Sequence, residues 1–388
     1  MFGEQTVNKM IHHIRNESLS MADGLLGDLG NIDEARNVQA RDTTTLDKLT
    51  AAASKLVPEF VGKRTSTKLQ VFDTSELVRD HYDELYKKLK EQELNDVYFT
   101  EEDLRTFILS NVNNNLDINT SQCLGLFTGC LLHFLTERNA HAGEITRFYI
   151  NGNGNRFDYL FLGAKYIHDL FVENFYGDNI CKAIANNGGQ AGLVCGLNLK
   201  GEGSLRGIGS YDDIVRQVLG ITLKGDYVFN GCGQARGVID QLICVGATGN
   251  ASFSNLAGYQ GHIKQIIGVD ISGKALFTNV AGDNTRGNIG DNTRDNKRNN
   301  PQEKGTVNSE IYDNIQLVPF GEDAQPFSRN RRVGLLRKNR RIWELANEIK
   351  IIELVKELPK SDYAQILRIA EQLYALRPID YTISMNIY

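Results

Sequence analysis

Arg147-Phe148-Tyr149-Ile150-Asn151-Gly152-Asn153-Gly154-Asn155-Arg156-Phe157 is the stretch on which the fold assignment turns. Ile145 to Ile150 alternates as a short strand, with Ile145 and the aromatics Phe148 and Tyr149. The Asn/Gly run follows at once, and helix signals resume at Arg156 and continue toward Phe175. A strand, a glycine turn and a helix in that order suit a bound nucleotide. Glycine has no Cβ to hold a ligand away and tolerates positive φ, and a helix mouth offers free N–H groups and a positive end to phosphate. Gly152, Asn153, Gly154, Asn155 and Arg156 are therefore the candidate cofactor-binding residues. The asparagines would hydrogen-bond ribose or base, and Arg156 would stack on a purine or pair with phosphate. An ordinary tight turn, with Asn and Gly chosen for conformation, is the competing reading.

Upstream the chain reads as helical. Thr6 to Ile14 repeats apolar residues at helical spacing, and residues 19 to 45 are polar and loop-like. A helix is predicted from Leu46 to Leu56, stopping before Pro58. Lys68 to Phe72 alternates as a short strand. Ser75 to Gln92 is amphipathic, with Leu77, Tyr82, Leu85, Tyr86 and Leu89 inward. Thr100 caps another helix that carries acids in its first turn, and Thr120 to Glu137 is a strongly apolar one.

Downstream, residues 199–280 are Gly-rich with β-leaning runs at Tyr227 to Phe229, Leu242 to Val245 and Ile266 to Val269, and a helix is predicted at Tyr211 to Leu219. Residues 281–310 form a low-complexity linker, in which Asp283-Asn284-Thr285-Arg286 recurs at Asp291 to Arg294 as a two-copy echo rather than a solenoid repeat. Residues 311–388 hold a basic segment and two helices, Arg341 to Leu358 and Asp362 to Leu376, separated by Pro359. From Arg329 to Arg341 there are seven cations in thirteen residues, suited to an anionic partner, with a solvated helix start as the alternative. Phe327 and Trp343 are too few aromatics for a base-stacking platform.

Three segments together resemble the actin/Hsp70-type ATPase superfamily: Phe2 to Ile11, the Arg147 to Phe157 stretch, and Asn187-Gly188-Gly189-Gln190-Ala191-Gly192-Leu193-Val194-Cys195-Gly196-Leu197. The second is similar to that family's adenosine motif, and its G-N-G-N-R-F wording is closest to the large bacterial actin-like proteins grouped with virulence factor SrfB. The third resembles the family's following helix. The resemblance implies an α/β fold: a partial actin-like (ribonuclease H-like) subdomain over residues 1–198 with a helical capping insertion at about 40–140, then a Gly-rich β-containing region and a helical C-terminus. It implies ATP or ADP with Mg as cofactor. Lys55, Glu84 and Lys87 are candidates by composition for adenosine contacts from the insertion, although a solvated helix face is the favoured account of them. The family's phosphate loops are absent. Asp270-Ile271-Ser272-Gly273-Lys274 is similar to one only out of order, and a turn between strands is its plainer reading. The chain is thus expected not to hydrolyse ATP alone and to work in an assembly, with a protein partner supplying the missing half. A non-enzymatic scaffold that docks partners through its C-terminal helices is the other functional reading.

Composition sets wide bounds. The chain has 388 residues, 41% hydrophobic and 9% aromatic residues, and a formal charge of -5, which points neither toward nor away from nucleic acid. Met1 to Gln5 carries no secretory pattern, and Cys123 to Leu135, the longest apolar stretch, is too short to span a membrane. Six scattered cysteines read as buried reduced thiols of a cytoplasmic protein, with Cys232, between two glycines, the one to watch. The pair His12-His13, His133 and His141 match no catalytic or metal motif.

Overall fold

The computed structural model describes residues 43–66, 74–258, 261–274 and 342–377. Its centre is a parallel β-solenoid. Six strands, β1 (Arg147–Asn151), β2 (Tyr166–Glu173), β3 (Gln190–Leu197), β4 (Ile214–Ile221), β5 (Val238–Val245) and β6 (His262–Val269), pair in chain order as one sheet. From β2 onward each residue pairs with the one 24 positions later: Leu170 with Val194, Val218, Leu242 and Ile266. Fixed register makes columns of like side chains. Phe148, Leu170, Val194, Val218, Leu242 and Ile266 stack inside the coil and are all buried. Tyr149, Phe171, Cys195, Leu219, Ile243 and Ile267 stack on the opposite face. A strand buried on both faces loses its alternation.

The return path of each coil is a run of turns. Positive φ recurs at every second residue, as at Asn179, Cys181, Ala183 and Ala185, and again at Tyr227 and Phe229. The N–H groups there donate alternately to the next and the previous coil: Asn179 to Glu202 O, Cys181 to Leu160 O, Ala183 to Arg206 O and Ala185 to Ala164 O. Left-handed backbone costs about 1–2 kcal/mol at a residue with a side chain. Burial of Cys181, Phe229 and Phe253 in the coil interior offsets it, at about 1.5–3 kcal/mol for a large apolar group. One glycine column, Gly177, Gly201, Gly225, Gly249 and Gly273, marks the corner after the strands. There φ lies between 142° and 156°, and at the last four a Cβ would overlap the carbonyl oxygen of the column's preceding glycine.

Helices close the first coil: α1 (Thr45–Ser66), α2 (Thr74–Lys88) with a π-helical turn (Leu89–Glu93), α3 (Glu101–Ser110) and α4 (Ile118–His141). Thr100 and Asp103 form a capping box on α3, and Asp117 caps α4. Several groups of the first coil, which has no preceding coil to pair with, meet partners from this cap. Arg105 Nε donates to Tyr149 O at 3.0 Å, and the Glu101 carboxylate accepts from the Arg147 N–H. Asn113 donates to Arg156 O at 2.8 Å and accepts the Arg156 N–H on Oδ1 at 2.9 Å. Thr128 Oγ1 accepts from Phe161 N at 3.1 Å, and Tyr82 Oη from Lys165 N at 3.2 Å. The far face of the sheet is covered by α5 (Ile342–Glu357) and α6 (Tyr363–Ala375), which bury Ile351, Val355, Ile366, Ile369 and Leu373 against it.

The expectation of a partial actin-like, ribonuclease H-like subdomain is therefore overturned. β1 leads into a solenoid coil and no helix follows Asn155; residues 156–175 form turns and β2. Asn187 to Leu197 and Tyr211 to Leu219, both read as helix, contain β3 and most of β4, while Tyr227 to Phe229 is turn. The first cap helix runs through Pro58 to Ser66. The remaining helices and the strands at 242–245 and 266–269 stand as read. Thr6 to Ile14, Lys68 to Phe72, the linker and the Arg329 to Arg341 run lie outside the described residues.

Candidate functional site

The predicted loop lies at the corner where β1, β2 and β3 end. Beyond each of β2 and β3 the chain turns through a left-handed asparagine, Asn174 (φ 54) and Asn198 (φ 50). Their amides form a ladder up the corner. Asn151 Oδ1 accepts from Asn153 N at 2.8 Å and from Asn174 Nδ2 at 3.3 Å, and Asn174 Oδ1 accepts from Asn198 Nδ2 at 2.6 Å. Two residues further on, Arg156, Tyr176, Lys200, Lys224, Thr248 and Ser272 bridge coil to coil as one exposed column. Between ladder and column runs a groove of ≈ 510 Å³. Asn153 and Gly154 line it from the first coil, Asn174, Phe175 and Tyr176 from the second, and Asn198 and Lys200 from the third. That volume is within the usual range for small-molecule sites, roughly 300–1,000 Å³.

The five predicted residues fare differently. Gly154 (φ 78) faces open space, and Asn153 is exposed beside it. Gly152 is buried, packed directly on the Phe175 ring. Asn155 Oδ1 is taken by Asn113 Nδ2 at 2.8 Å. The Arg156 guanidinium pairs with Asp158 at 2.7 Å and sits 5.6 Å over the Tyr176 ring; the Asp158 hydrogen bond holds Arg156 more firmly protonated than usual.

The loop's backbone donors are all engaged within the protein. Gly152 N donates to Glu173 O at 2.7 Å, Asn153 N to Asn151 Oδ1, Gly154 N to Asn174 O at 2.6 Å, and Asn155 N to Gly152 O at 2.9 Å. Arg156 N goes to Asn113 Oδ1. With no helix after the turn and no free N–H within it, the loop offers no backbone cradle for a phosphate. Recognition here falls to side chains: the Asn153 amide, the Tyr176 ring and hydroxyl, and the ammonium of Lys200. Lys200 and Lys224 make no ion pair among the described residues.

The other sequence candidates are placed elsewhere. Lys55 pairs with Glu93 at 2.5 Å and Glu84 with Lys63, both on the cap helices, and Lys87 is exposed; none lines the groove. His133 is buried, its Nδ1 3.1 Å from Tyr82 Oη, and burial pulls it down to about 4. Its ring stacks on Tyr86, whose hydroxyl donates to Glu137. His141 ends α4. Cys232 is buried with its thiol 3.2 Å from Leu205 O, and burial raises it to about 12. Asp270 to Lys274 repeats the corner of the earlier coils, with Ser272 bridging Thr248. Among the described residues no group of three His, Cys, Asp or Glu side chains could hold a metal ion, and no helix is long and apolar enough to cross a membrane. His12 and His13 lie outside them.

Asn174, Tyr176, Asn198 and Lys200 were missed by sequence reasoning. Their signal was the 24-residue spacing: Asn174 to Asn198, Tyr176 to Lys200 to Lys224, and the glycine column beside them. In comparisons with protein-family models, curated proteins and solved structures, none matches the chain.

Proposed function

We propose that the chain is a non-enzymatic binding scaffold that works in an assembly, with the groove between Asn153 and Lys200 as its recognition site. One observation carries the reading: the N–H groups of the groove's loop, from Gly152 to Arg156, are all engaged within the protein, so recognition is left to a surface of amide, phenol and ammonium side chains. A rigid recess with few convergent polar side chains is what binding without chemistry requires. The six cysteines are buried and supply no exposed nucleophile.

Binding of ATP or ADP with Mg is the second reading. It is favoured by Tyr176 and Lys200 facing one recess, where a purine could lie on the phenol, with the Arg156 guanidinium beside the same ring. Calorimetric titration of the chain with MgATP and MgADP, alongside a phosphate-release assay, separates the two. The scaffold reading expects neither saturable heat nor turnover. Saturable nucleotide binding lost in Tyr176→Ala would establish the second reading instead, and turnover would end the first.

A further inference from the structure

We propose that the groove receives an acidic saccharide chain laid along the solenoid axis, an inference that rests on the scaffold reading of the same groove. The groove crosses three coils, from Asn153 and Gly154 through Asn174 and Tyr176 to Asn198 and Lys200. Successive coils of a parallel sheet rise by about 4.8 Å. A ligand filling the groove therefore meets one set of groups per step of that size, which is comparable to the length of one pyranose ring. A chain of rings repeats its hydroxyls at the interval at which the coil repeats its side chains.

The chemistry of the lining narrows the class. Tyr176 is 50% exposed, so its ring has open surface for the C–H face of a sugar, while Arg156 lies over it. The Asn153 amide is exposed, and Asn198, which lines the groove, spends its Nδ2 on Asn174, so that its Oδ1 is an acceptor not used by that ladder. Donors and acceptors set side by side are what hydroxyls, which do both, can satisfy. Lys200 is an exposed cation lining the groove, placed for a carboxylate on the ring at the third coil, and Lys224 is the next cation in the column, beyond the groove.

Other classes fit less well. A phosphate group would find no unpaired N–H in the loop, as shown above. An added peptide strand needs an open sheet edge, and these residues lie past the strand ends, where backbone groups pair coil to coil. An apolar partner would find a single apolar lining residue, Phe175, already buried. Single-stranded nucleic acid takes a series of aromatic platforms, and the column supplies one.

The test is calorimetry of the full chain against uronic-acid oligosaccharides of increasing length, and against the same oligomers with their carboxyls reduced to alcohols. Affinity is expected to rise with each added ring until the three coils are spanned and then to level off. Reduced oligomers should bind about tenfold more weakly or worse, and Tyr176→Ala and Lys200→Ala should each cost about tenfold. Both side chains are exposed, so an unchanged melting temperature certifies the variants. Tyr227→Ala, an exposed tyrosine that does not line the groove, should bind as wild type. No saturable heat up to about millimolar oligosaccharide, or equal binding by Tyr176→Ala, overturns the saccharide assignment. That failure is distinct from failure of the scaffold reading, which the MgATP titration decides separately.

Discussion

Gln241 Nε2 donates at 2.9 Å to the backbone oxygen of Leu373, 132 residues further along the chain. Gln217 makes the equivalent bond to Ala370 O at 3.0 Å, and the two glutamines are themselves joined at 2.5 Å, with Gln241 continuing to Gln265 at 2.6 Å. A buried amide ladder on the outer face of the sheet thus docks the last turns of α6. Replacing Gln241 by Leu removes the side-chain donor to the Leu373 carbonyl and breaks the amide ladder between Gln217 and Gln265. The expected loss is about 1–3 kcal/mol, read by urea unfolding. Limited proteolysis should cut the variant within residues 342–377 at lower protease concentration than wild type.

Two helical glycines should respond in opposite directions to the same change. A Cβ on Gly125, in α4, would overlap Tyr159 O of the first coil, whereas one on Gly62, in α1, meets nothing. Helix propensity alone favours alanine at both by up to about 1 kcal/mol. Gly62→Ala should therefore raise the melting temperature, and Gly125→Ala should lower it because close packing of α4 on the coil outweighs propensity.

Asp213 gives a pH signature. Its Oδ1 accepts the N–H groups of Gly188 at 2.5 Å and Gly189 at 2.9 Å, while Oδ2 is buried without a partner, and burial pushes the carboxyl up to about 8. The folded chain keeps a proton that the unfolded chain releases near pH 4. This group's contribution to stability is therefore complete below about pH 4 and is lost as pH rises toward 8, by at most about 1.4 kcal/mol per unit. Asp213→Asn keeps the acceptor and removes the titration. The melting temperature of the variant minus that of wild type should climb between about pH 4 and pH 8 and then level off.

The thiols should be silent in the native state. Cys123, Cys130, Cys181, Cys195, Cys232 and Cys244 are all buried, and burial holds the last four, with Cys130, far toward the protonated form. A thiol reagent such as Ellman's should label none of them at neutral pH without denaturant and all of them in guanidinium.

The cap was legible in the sequence because its helices carry their own local instructions. Thr100 with Asp103 writes a capping box, and Tyr82, Leu85 and Leu89 recur at helical spacing and are buried. The coil was not, because its strands are covered on both sides. Val218-Leu219-Gly220-Ile221 shows no alternation when the coil interior takes one set of side chains and α5 and α6 take the other. Its return path is equally opaque, since Phe229 and Phe253 adopt backbone angles that neither residue prefers in isolation. The repeat itself lives in positions rather than in words: Phe175, Leu199, Leu223 and Ala247 are one column with three different residue types. Of the site, Asn153 and Gly154 were found for the wrong reason, as the mouth of a helix that does not form. Tyr176 and Lys200 become its neighbours only once a 24-residue period is imposed.

The 24-residue coil also makes chain length behave in quanta. Duplicating one whole coil, for instance residues 214–237, would hand every column a fresh rung of its own kind and leave the helical cap and the docked hairpin each with a familiar surface. Adding or deleting an odd number of residues within a strand would turn interior side chains outward, and an even number short of a whole coil would keep their facing but break the Gly177 to Gly273 file. Tolerated insertions should therefore come in multiples of one coil, or fall at the corners where a bulge disturbs no column.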